Sequence, residues 1–64
     1  MIDVDDVDAV LVGMDQLAFA AGVDRHARLA IIALSVAGRK HNDVTLMARA
    51  RELMTQAITE AEAR

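Results

Sequence analysis

No cysteine occurs among the 64 residues of this chain. Disulfide staples and thiolate metal sites are excluded, and cysteine usage says nothing about redox compartment. There is no proline and there are only 3 glycines, so little interrupts a helix. Tryptophan and tyrosine are absent, and Phe19 is the single aromatic residue. No apolar run approaches the roughly 18 residues of a membrane span. The first residues carry acid where a signal peptide needs base, so export by that route is not expected and a cytoplasmic location is.

Catalytic signatures are also missing. The sequence has no cysteine nucleophile, no glycine-rich phosphate loop, no HExxH and no GxSxG. Its hydroxyls are Ser35, Thr45, Thr55 and Thr59. Ser35 interrupts an apolar run, where a helical serine can bond the carbonyl of the preceding turn. His26 and His41 are too far apart for a local ligand pair and read as surface and loop groups. The expectation is a protein that is not an enzyme, with no catalytic, cofactor-binding or metal site. The aspartates of DVDDVD near the start lack the glycine and distal glutamate of a calcium loop, and suit a helix N-terminus instead.

What is present is apolar and helical. Hydrophobic residues make up 55% of the chain, with a mean hydropathy of +0.27, which excludes disorder as the default. A chain this short forms one domain and buries only about 60% of its unfolded surface. Ordering it costs on the order of 100 kcal/mol. With disulfides and metals set aside, oligomerisation or a partner protein remains as the source of extra stability. Charge is uneven. Residues 1–24 carry six aspartates and no base, whereas the remainder carries seven bases against four acids, for a net −3. That division suits packing of the two halves, within or between chains, and not a broad nucleic-acid surface.

The pattern predicts an all-α three-helix unit, over about 4–21, 25–39 and 44–61, completed by oligomerisation. In helix one, Asp3 is the expected N-cap, with Asp6 reaching back to free N–H groups and Ile2–Val7 as a hydrophobic staple. Val4, Val7, Leu11, Met14, Ala18 and Ala21 form its apolar seam, widened by Val10 and Leu17. Gly13 either admits a close helix or allows a bend. Gly22 ends the helix in a Schellman turn, with Val23 against Ala18. Asp24 caps helix two, so the link is short and the two helices should be antiparallel or steeply crossed neighbours. Gly38, Arg39 and Lys40 close helix two. Asn42 or Asp43 caps helix three, whose stripe of Leu46, Met47, Ala50, Leu53, Met54, Ala57, Ile58 and Ala61 opposes a polar face.

Helix two is the anomaly, and the expected central rod of the unit. Ala27, Ile31, Leu34 and Gly38 lie on one side, and Leu29, Ile32 and Val36 on nearly the opposite one. Only Arg28, Ser35 and Arg39 form a polar strip, roughly a quarter of the circumference. A helix apolar almost all round is normally buried almost all round, and three short helices have little with which to cover it. Val12 and Phe19 form a second apolar line on helix one, outside its seam. Phe19 belongs either to the core over the turn or to a partner contact. Val12, Phe19, Leu29, Ile32 and Val36 are therefore the expected partner interface.

The function expected is a small structural or adaptor protein acting through helix–helix contacts, as a subunit of a homo-oligomer or larger assembly. The stretch LAFAAGVDRHARLAII resembles a helix-turn-helix around Ala18, Gly22 and Val23. It departs where Arg28 stands in place of an apolar residue and Leu29 comes one step late. A small DNA-binding regulator is the alternative, and an inhibitor of a partner enzyme a further one. The expected partner is protein, with neither membrane nor nucleic acid.

Overall fold

The computed structural model describes the backbone of residues 4–64 and the side chains of residues 9–64. The chain is all-α: α1 (Val4–Ala21), α2 (Arg25–Lys40) and α3 (Val44–Glu62). The last two each run one residue past the expected end, within the usual scatter of helix termini. Asp3, Asp6, the Ile2–Val7 staple and the side chains of Val4 and Val7 lie outside the described residues.

Both links are closed by the same device. At the end of α1, Gly22 takes φ +90°. Its N–H donates to the Phe19 carbonyl (3.1 Å), and the Val23 N–H donates to the Ala18 carbonyl (2.9 Å). This is the expected Schellman turn, and Val23 is buried in the same cluster as Ala18. Asp24 then accepts from the N–H groups of His26 (3.0 Å) and Ala27 (3.4 Å), capping α2. At the end of α2 the left-handed residue is Asn42, φ +54°. Its N–H donates to Arg39 (3.1 Å), and that of Asp43 donates to Gly38 (2.7 Å). Asparagine tolerates this conformation better than other side-chain-bearing residues. Asp43 caps α3 by accepting from the Leu46 N–H (3.1 Å). Gly38 is thus not the terminator of α2; it lies buried inside the helix.

The hub is α3. Met47, Ala50 and Met54 are fully buried, and Leu46, Leu53, Ala57, Ile58 and Ala61 are half-buried beside them. Thr45, Arg49, Glu52, Gln56 and Glu60 face solvent, with Arg49 paired to Glu52 at 3.1 Å. Met54 packs with Leu11, Ala18 and Val23, bordered by Met14, Ile31, Ile32 and Ile58. Both α1 and α2 pack along α3 but meet each other only slightly. The short link makes α1 and α2 neighbours, as expected, though with little contact. One expectation is corrected: α3, not α2, is the central rod. The seam of α1 is also narrower than expected: Leu11, Met14, Ala18 and Ala21 face inward, while Val10 and Leu17 are exposed. Gly13 admits no close helix, since a side chain there would meet nothing within 4 Å.

Candidate interaction face

The contact between α2 and α3 is set by small residues. Gly38 sits so close to α3 that an added Cβ would lie 2.9 Å from Met47 Cγ and 3.1 Å from Met47 N. Three residues earlier on the same face is Ser35, only 1% exposed. The Met47 side chain thus presses into a hollow where α2 offers no bulk. Close approach there rotates α2 about its axis, and its inward line becomes Arg28, Ile31, Ser35 and Gly38. Two of the three residues of the expected polar strip point into the protein, and only Arg39 stays exposed.

Turning the polar strip inward leaves the apolar flank outside. Leu29 is 49% exposed and Val36 58%. Ile32, between them on the same flank, is half-buried and touches the core cluster. The expectation that a solitary copy cannot cover α2 therefore holds at Leu29 and Val36. Across from this flank, α1 presents Val12 (59% exposed) and Phe19 (69%). Phe19 is outside the core, and its ring carries the Arg28 guanidinium 5.1 Å from the centroid.

Between the two flanks runs a cleft of about 100 Å³, lined by Leu11, Val12, Asp15, Ile32, Ser35 and Val36. Asp15 and Arg28 span it with an ion pair, Oδ1 to Nη1, at 3.5 Å. The pairing of Phe19 and Asp15 with Arg28, and of Leu11 and Val12 with Ile32 and Val36, runs α1 and α2 antiparallel. Of the five expected interface residues, Val12, Ile32 and Val36 line the cleft. Phe19 lies at its Arg28 end, and Leu29 continues the α2 flank by helical spacing.

Two polar atoms of this region are buried without a hydrogen-bond partner, Arg28 Nε and Ser35 Oγ. The expected bond from Ser35 to the preceding turn does not form, although Thr55 and Thr59 make such bonds to Arg51 and Thr55 at 3.0 Å. A buried hydroxyl without a partner costs about 1–3 kcal/mol. Ser35→Ala is expected to raise the unfolding free energy by about 1 kcal/mol, as read by denaturant unfolding followed by circular dichroism. An unchanged or lowered midpoint would show that the hydroxyl is satisfied. Sequence alone hides this site, because a serine in an apolar run reads as the wet side of a helix.

Arg28, one of the side chains nearest the helix-turn-helix resemblance, is held by Asp15 and Phe19. Among the described residues, no three of histidine, cysteine, aspartate and glutamate come together to hold a metal ion. None of the described helices is long and apolar enough to cross a membrane. Compared with models of known families, with curated proteins and with solved structures, the chain matches none.

Proposed function

We propose that this protein is a non-enzymatic helical subunit that works by docking its α1/α2 face against another protein chain. One observation carries the reading. The rotation of α2 exposes Leu29 and Val36 on the same side as Val12 and Phe19, on either side of an apolar cleft. Burying a large apolar side chain contributes about 1.5–3 kcal/mol. A domain this small has only a few kcal/mol of net stability, so four such side chains in water forgo a comparable amount. Helix-in-groove packing is a common way of covering such a face.

The test is the size of the native particle. In a gentle lysate at natural abundance, the chain is expected to elute well above its own 6.9 kDa, and Val36→Asp is expected to elute at that mass with unchanged helicity. Val36 suits this test better than Ile32, because Ile32 also packs on the core and its change strikes fold and face together. Elution of the wild type as a monomer, or an unmoved Val36→Asp peak, would refute the proposal.

A further inference from the structure

We infer that the α1/α2 cleft is a binding site for one small neutral alcohol, about three or four carbons long, whose hydroxyl meets Ser35. This site goes beyond the docking face and does not depend on it. Its first mark is a polar group with nothing to bond. Ser35 is 1% exposed and lines the cleft, yet its Oγ has no hydrogen-bond partner. Buried polar side chains nearly always have one. The second mark is the wall: Leu11, Val12, Ile32 and Val36 line the same space with aliphatic carbon, which suits a ligand with an apolar body. The third is charge. Asp15 is the one ionisable side chain among the described lining residues, and Arg28 already matches it at 3.5 Å. A cation or an anion would enter with no counter-charge of its own, and burying an unpaired charge is costly. Size narrows the class further. An apolar cavity of about 150 Å³ takes a benzene ring, so a cleft of about 100 Å³ takes about four or five non-hydrogen atoms. An amide of that size carries two N–H donors and a carbonyl, more than one serine hydroxyl can answer. An alcohol carries a single hydroxyl, and it and Ser35 can each donate or accept. The alcohol oxygen thus supplies the partner that Ser35 lacks, while its carbons lie against Ile32 and Val36.

Methyl NMR on the purified chain tests this, with isobutanol as the probe and isobutyrate and isobutylamine as charged probes of matching shape. Isobutanol is expected to shift the methyl signals of Leu11, Val12, Ile32 and Val36 along a saturating curve in the millimolar range. Leu17, exposed on α1 and outside the cleft, is expected not to move. Both ions are expected to bind several-fold more weakly. Ser35→Ala is expected to weaken isobutanol binding about three- to tenfold, the worth of one hydrogen bond. Ser35→Cys, whose thiol is a weaker partner, is expected to fall between alanine and serine. Shifts that grow without saturating, or that reach Leu17 equally, would show a solvent effect and overturn the site. Equal affinity in the wild type and both Ser35 variants would overturn the role of the hydroxyl. An ion that binds as well as the alcohol would overturn the ligand class. The docking face is read separately, by particle size in lysate with Val36→Asp, so failure of one reading leaves the other standing.

Discussion

Met54→Ala is expected to lower the unfolding free energy by about 2–5 kcal/mol. Met54 is fully buried and is the α3 residue around which Leu11, Ala18 and Val23 gather. Truncation removes the atoms that join α1 to α3, and the space left behind is bounded by helices that cannot all move inward. For 64 residues, the whole stability is about 3–10 kcal/mol at roughly 0.05–0.15 kcal/mol per residue. The variant is therefore expected to be partly unfolded at room temperature, as read by urea titration of the helical signal. A loss under about 1 kcal/mol would mean that neighbouring side chains refill the space, and that Met54 is not the centre of the core.

The second large effect lies at the other end of α3. Gly38→Val is expected to cost about 3 kcal/mol, the upper range for overpacking, and to lower the melting temperature by more than about 10 °C. A Cβ at this position falls 2.9 Å from Met47 Cγ, 3.1 Å from Met47 N and 3.2 Å from the Asp43 carbonyl oxygen. The methionine carbon can swing away. The two backbone atoms cannot, because they belong to the capped first turn of α3. Gly38→Ala should show a smaller loss, since the helix preference for alanine over glycine, about 1 kcal/mol, offsets part of the clash. A melting temperature unchanged by valine would show that α2 and α3 stand further apart than described.

These two sites show why some of the fold was legible in the sequence and some was not. The stripe of α3 is regular and its polar face is continuous, so periodicity alone orients it. Asp24, Asp43 and Gly22 announce the ends because their side chains, or the lack of one, solve a local backbone problem. The rotation of α2 is different. Hydropathy ranks Ser35 and Arg28 as outward residues, yet helix approach is decided by bulk, and Ser35 with Gly38 is where α2 is thin. The spacing of two small residues, three apart, was the available signal. The candidate face was legible through residues outside the seams, namely Val12, Phe19, Leu29, Ile32 and Val36. That they share one side of the molecule follows only from the rotation of α2. The exposure of Val10 and Leu17 was not legible, because they fall within the width that an amphipathic stripe can have, and only the slight contact of α1 with α2 leaves them out.

Two rods resting on one keel have a mechanical consequence. Because α1 and α2 each grip α3 and touch one another less, through the Asp15–Arg28 pair at 3.5 Å and the Phe19 ring beside it, the line between them is where the packing is thinnest. Spreading them leaves the hollow over Met47 in place and thins only the part of the Met54 cluster where Leu11 and Ala18 border Ile31 and Ile32. An incoming rod would press first on that line, and the hold of α2 on α3 at Gly38 would be the last to yield.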